Sequence, residues 1–190
     1  MGSTPIRFRQ RSDMAKDERQ ARARRRIPRR RRTVVAVTAA VLASIVVGYL
    51  AYRAQANLPG TQLPDQGNLH IAGPESPHES YNSDPPTSGP HLPYIAPWGV
   101  HTRPIVRELQ VHNLEDGGVL VQYNCECPEI VATLKAIVQR YDKQVILAPY
   151  PGMKHRIALT AWTRIDTLDE LDEARITRFI EAYRGIDHHK

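Results

Sequence analysis

The sequence lacks the short motifs that mark common enzymes. Neither G-x-S-x-G nor H-E-x-x-H occurs, which removes two large groups of hydrolases. No glycine-rich loop leads into a helix to cradle phosphate, since Gly117-Gly118 stands between two apolar segments. There are only two cysteines, Cys125 and Cys127. They form neither a C-x-x-C pair nor a short tetrahedral zinc pattern. No internal repeat is present. Acids are scarce at the start: residues 1–32 carry 13 Lys or Arg against 3 acids, a balance of +10, whereas residues 53–190 carry 13 against 17, a balance of −4. The net charge of +6 therefore belongs to the tail. That tail has no interleaved aromatic platform and no recognisable reading helix, so no nucleic-acid partner is expected.

Charge is missing altogether from residues 33–52. Twenty helical residues span about 30 Å, the thickness of a bilayer's hydrocarbon core. Seven arginines stand among residues 24–32 and only Arg53 follows closely. The positive-inside rule then puts the N-terminus in the cytoplasm and the rest of the chain outside, as a single-pass protein of the cell membrane. Ala54-Gln55-Ala56 has the small-x-small form of a signal cleavage site, but the apolar run is longer than a signal peptide needs. The expected organisation is a basic cytoplasmic tail (1–32), a transmembrane helix in contact with lipid (33–52), a flexible spacer (53–77), an extracytoplasmic domain (78–186) and a terminal tail (187–190).

Within the domain, residues 78–98 hold five prolines together with Tyr81, Leu92, Tyr94, Ile95 and Trp98. That mixture predicts irregular but ordered chain. Residues 105–111 and 119–123 are expected to be strands joined through Glu115-Asp116-Gly117-Gly118 as a tight turn. Pro128 opens a helix through about Arg140, marked by apolar residues at helical spacing. Strands are expected at 145–148 and 156–162. Thr167 and Glu170 have capping-box spacing for a last helix that Gly185 ends. The fold class is α/β: a small mixed sheet covered by two helices, preceded by one transmembrane helix and a Pro-rich ordered segment.

HESYN (78–82), PPTSGPH (85–91), VHNLEDGGVLVQY (111–123), APYPGM (148–153), TAW (160–162) and FIEAYR (179–184) occur in that order. Together they resemble the DUF3105 family, bacterial proteins that commonly carry an N-terminal membrane segment and have no settled biochemical function. The resemblance implies a membrane-anchored domain and marks His91 and His112 as candidate site residues. This chain reads Leu114-Glu115-Asp116-Gly117 where the family commonly reads LEHG.

Histidine supplies the independent chemical case. His78, His91, His101, His112 and His155 all fall in the domain, and neutral imidazole suits copper, zinc, nickel or iron. Met153 lies two residues before His155, on the same side of an extended chain, and its thioether favours Cu(I). Cys125 and Cys127 precede a helix N-terminus, which favours thiolate and hence soft-metal binding or thiol exchange. The candidate ligands are His91, His112, Cys125, Cys127, Met153 and His155, and the candidate ion is copper. Each has an ordinary use as well: His91 as a partner of its Gly-Pro turn, Met153 as packing, and His188 and His189 as a ragged terminus. The expected function is extracytoplasmic transition-metal binding for storage, delivery or sensing rather than turnover. The alternatives are a noncatalytic interaction domain with a membrane-protein partner and a Cys-x-Cys thiol redox protein.

Overall fold

A computed structural model describes Met14, residues 16–20 and residues 29–189. Most of the basic tail therefore lies outside the described residues. The chain divides into two compact units, Met1–Asn57 and Leu58–Lys190. The first contains α1, Arg29–Ala56, of which Arg30–Arg53 is long and apolar enough to cross a membrane. Two of its hydroxyls are satisfied within the helix: Thr38 Oγ1 donates to the Val34 carbonyl at 2.6 Å and Ser44 Oγ to that of Ala40 at 3.0 Å. Such internal satisfaction is what a hydrocarbon surrounding demands. The helix includes Ala54-Gln55-Ala56 in its last turn.

The second unit is an α/β fold on a six-stranded mixed sheet. Its strands are β1 (Thr61–Gln62), β2 (Gly99–Val100), β3 (Val119–Tyr123), β4 (Val145–Pro149), β5 (Ile157–Ala161) and β6 (Arg164–Leu168). They are ordered β1-β6-β5-β3-β4-β2. β3, β4 and β2 run parallel, while β5 is antiparallel to both β3 and β6. Three helices complete the unit: α2 (Arg107–Glu115), α3 (Pro128–Val138) and α4 (Glu173–Tyr183). β3, α3 and β4 form a parallel strand-helix-strand crossover.

The central strands are buried on both faces, and alternation along them separates two cores. Val119, Val121, Val145, Leu147, Ile157 and Leu159 meet α3 and α4 on one face. Leu120, Ile146 and Ala148 meet Val111 and Leu114 of α2, with Trp162 and Ala96, on the other. The second face also holds a polar ladder. Thr160 Oγ1 donates to Gln122 Oε1, Gln122 Nε2 to Gln110 Oε1, and Gln110 Nε2 to the Ile105 carbonyl.

Three expectations are corrected. Residues 105–111 are not a strand, and residues 107–115 form α2. Ile105 and Leu109 are four apart and Val111 and Leu114 three apart, so the same apolar residues also fit a helix. Tertiary contacts decide between the two: Asn113 Oδ1 accepts from the Ala96 N–H and its Nδ2 donates to the Ala96 carbonyl, each at 2.9 Å. Thr167 lies in β6, and α4 is capped by Asp172, whose Oδ1 accepts from the Arg175 N–H at 2.9 Å. Finally, the stretch expected as a spacer is built into the fold from Leu58 onward. β1 pairs with β6, and residues 66–71 run beside 88–91: the Gly89 N–H donates to the Gly67 carbonyl, that of His91 to Leu69 and that of Ile71 to His91. This last pairing sets His70 beside His91 in a parallel bridge.

Candidate metal centre

Two segments and one helix converge on the second face of the sheet. The 66–71 and 88–91 segments bring His70 and His91 together. α2 contributes His112 and Glu115, three residues apart and hence on one helix side. One ligand atom from each of His70, His91, His112 and Glu115 lies within 4.8 Å of all the others. The imidazole centroids are 5.0 Å (His70–His91), 5.3 Å (His70–His112) and 5.1 Å (His91–His112) apart.

Glu115 Oε2 is the hub. It lies 2.9 Å from His91 Nε2, 3.8 Å from His70 Nε2 and 3.9 Å from His112 Nδ1. Two donors each about 2.1 Å from a tetrahedral ion are about 3.4 Å apart, so these separations bracket a shared cation. The other carboxylate oxygen, Oε1, accepts from Asn68 Nδ2 at 2.7 Å, which fixes the plane of the carboxylate. His91 and Glu115 are fully buried and His112 nearly so, whereas the His70 side chain is about half exposed.

The hydrogen bonds around His91 determine which nitrogen faces the hub. Its Nδ1 lies 2.8 Å from the Gly89 carbonyl oxygen, which can only accept, so Nδ1 carries a proton. In neutral His91 the lone pair of Nε2 then points at a carboxylate oxygen 2.9 Å away. Two acceptors at that distance require a cation between them, either a proton or a metal ion. His112 raises a parallel demand. Its Nδ1 is buried with no hydrogen-bond partner, a costly arrangement without a cation or donor nearby.

Burial holds the His112 pKa below the ordinary imidazole value, partly opposed by the Asp116 carboxylate, so the ring favours the neutral form that metals bind. For Glu115, burial alone would raise the pKa. The Asn68 hydrogen bond and the neighbouring His91 and His189 more than offset it, keeping the carboxyl below its ordinary value. Both shifts make the unfolded chain bind more protons on acidification, so both lower stability as pH falls. His112 begins to act below the ordinary imidazole value of 6.5. The contribution of Glu115, present above 4.5, is lost as pH falls through its lower folded value. His189 acts in the opposite sense, because its hydrogen bond to Asp187 raises its pKa above 6.5; its contribution fades as pH rises but is weakened by solvent. The metal-free protein should therefore melt at lower temperature as pH drops from about 7 to about 4. A melting temperature that rises over this interval would contradict the assignment.

Of the six ligands expected from the sequence, His91 and His112 come together at this centre. The others have different surroundings. Met153 is buried with Tyr150 and Ala158, and its carbonyl accepts from Asn124 Nδ2. The His155 ring meets Asp169, with Nδ1 3.1 Å from Oδ2. Cys125 and Cys127 are joined as a disulfide ahead of α3, a form that offers no thiolate. None of His155, Cys125 and Cys127 belongs to a cluster of candidate ligands among the described residues.

His70, Glu115 and His189 stand in these clusters but are absent from the candidate ligands expected from the sequence. His70 sits in the stretch expected as a spacer, and His189 in the expected ragged end. The spacing of His112, Glu115 and Asp116, at i, i+3 and i+4, was a usable signal only if the segment was read as a helix. A second, more exposed cluster consists of His112, Asp116 and His189. Ser88, close to His91 in sequence, serves the backbone: its Oγ accepts from the Gln66 N–H at 3.1 Å.

No curated protein and no solved structure matches the chain. Residues 75–190, which hold every residue of this centre except His70, match the family described as a protein of unknown function (DUF3105), and the chain belongs to that family.

Proposed function

We propose that the protein binds a divalent transition metal, copper foremost, through His70, His91, His112 and Glu115, and serves in storage, delivery or sensing. One observation carries the reading: a buried, unpartnered imidazole nitrogen of His112 and Nε2 of His91, whose other nitrogen holds the proton of the neutral ring, both face the same oxygen of Glu115. Three imidazoles and a carboxylate form a nitrogen-rich donor set without sulfur. That set favours Cu(II) over Cu(I), and Cu(II) heads the affinity order of first-row divalent ions at such donors. Asn68 and the Gly89 carbonyl act as the outer supports that orient ligands in metal sites.

The reading includes a membrane anchor through residues 33–52, with the arginine-rich side in the cytoplasm and the metal centre outside. The charge asymmetry about α1 supports that orientation. The full chain, purified in detergent without a histidine tag and titrated with Cu(II) and Zn(II), should take up one tightly bound ion at this centre. Cu(II) should quench tryptophan emission, since the Trp162 ring centroid is 6.2 Å from that of His91. Binding no tighter than about micromolar for both ions, a free energy near −8 kcal/mol, would reject the centre. Protease added to intact spheroplasts should cleave the C-terminal part; protection until lysis would reject the orientation.

A further inference from the structure

The second ligand cluster shares His112 with the first and stands at the surface. The Asp116 side chain is 30% exposed and that of His189 48%, against 0% for His91 and 1% for Glu115. The chain's end is held against α2 by backbone bonds: the Gly185 N–H donates to the Gly117 carbonyl at 2.8 Å and the His188 N–H to that of Glu115 at 2.9 Å. The His188 ring stacks near Trp162, with centroids 5.9 Å apart. Gly117 permits this approach, since its φ is +75° and a Cβ there would lie 2.8 Å from the Ile186 backbone.

His189 is oriented as a metal ligand is. Its Nδ1 lies 2.7 Å from Asp187 Oδ1, so in the neutral ring the proton sits on Nδ1 and the lone pair on Nε2. That Nε2 is 3.5 Å from Asp116 Oδ1 and 3.5 Å from Glu115 Oε2. The ring of His112 spans the two clusters: Nδ1 faces Glu115 at 3.9 Å and Nε2 faces Asp116 at 3.8 Å. Glu115 Oε2 thus lies within reach of donors from both, so an ion can exchange ligands one at a time without returning to water. As it moves inward the His112 proton leaves Nδ1 and Nε2 takes one up, through solvent at the exposed Asp116 side, because neutral imidazole offers one lone pair.

We propose that His189 and Asp116, with the outer nitrogen of His112, form a surface port through which the ion is loaded into and unloaded from the buried centre. This rests on the metal-binding reading above. Removing a port ligand raises the barrier in both directions and leaves the buried end state intact. The full chain in detergent, loaded with Cu(II) and challenged with a chelator, reports both rates through tryptophan emission. His189→Ala and Asp116→Asn are each expected to slow uptake and release by about tenfold, ~1.4 kcal/mol of barrier, with the equilibrium dissociation constant shifted by less than about threefold.

Unchanged rates in both variants would overturn the port and direct traffic past the half-exposed His70 instead. Weaker binding with unchanged uptake would also overturn it, making His189 a ligand of the buried centre. Failure of the unsubstituted chain to bind Cu(II) is a separate result: it rejects the metal centre itself before any variant is compared.

Discussion

Glu115→Gln is expected to abolish tight metal binding while leaving the fold standing. Glutamine has the shape of glutamate, so Oε1 can still accept from Asn68 Nδ2, as Glu115 Oε1 does at 2.7 Å. The new amide nitrogen replaces Oε2, which lies 2.9 Å from His91 Nε2. It donates a hydrogen bond to the lone pair that otherwise faces a carboxylate. The metal-free variant therefore gains a neutral partner for His91 and loses a buried charge, two changes that maintain stability. For the metal the same change is severe, because the only anionic ligand of the buried set is gone and an N–H occupies its place. A loss of about a hundredfold in Cu(II) affinity, ~2.7 kcal/mol, is the minimum expected. Competition titration reads the affinity and thermal melting the fold. Retained affinity would remove Glu115 from the centre.

His91→Ala attacks the same pair from the other side and should cost the fold as well as the ion. The side chain is fully buried, and its Nε2 is the closest imidazole nitrogen to a carboxylate that is itself 1% exposed. Truncation leaves Oε2 of that carboxylate with only the longer contacts to His70, His112 and His189, while Oε1 keeps its bond from Asn68, and it opens a void beside Trp162. Stranding a buried charge in this way costs about 3–5 kcal/mol, a fall of about 10 °C or more in melting temperature for a domain of this size. Saturating metal, which at about a hundred times its dissociation constant stabilises a binding-competent fold by about 2.7 kcal/mol, should no longer raise the melting temperature of the variant. A variant that melts with the unsubstituted protein would show that His91 and Glu115 do not depend on each other.

These effects concentrate on a few residues because the centre lies on the polar side of an otherwise apolar layer. The sheet face that meets α2 is covered by Leu120, Ile146 and Ala148 below Val111 and Leu114. Hydrogen-bonded groups such as Gln110, Gln122 and Asn113 keep α2 in place beside them. A one-residue rotation of that helix would bury different groups and carry His112 and Glu115 away from His91. The precision of the centre therefore depends on packing as well as on its own ligands.

Much of the architecture was readable from the chain alone. The apolar, uncharged run, α3 with Pro128 at its start, β3, β4 and β5, and the glycine that ends α4 all follow from local rules, since each is decided by residues close in sequence. His91 and His112 stand out differently: the resemblance to the DUF3105 family marks them through the GPH and VHNLEDG motifs, and imidazole suits a transition metal. Where local signals conflicted, the expectation failed. Residues 105–111 fit two periods, and only the clasp between Asn113 and Ala96 and the burial of Leu114 choose the helix.

The charge asymmetry, the membrane-compatible helix and most of the regular elements follow from the order of residues, read locally. Tertiary structure alone decided which side chains share a site. His70, His91, Glu115 and His189 are distant along the chain, and their meeting depends on a bridge between two irregular segments, the rotation of α2 and the return of the chain's end to Gly117. Such contacts gain their free energy only after the sheet and helices have formed, so no local pattern encodes them.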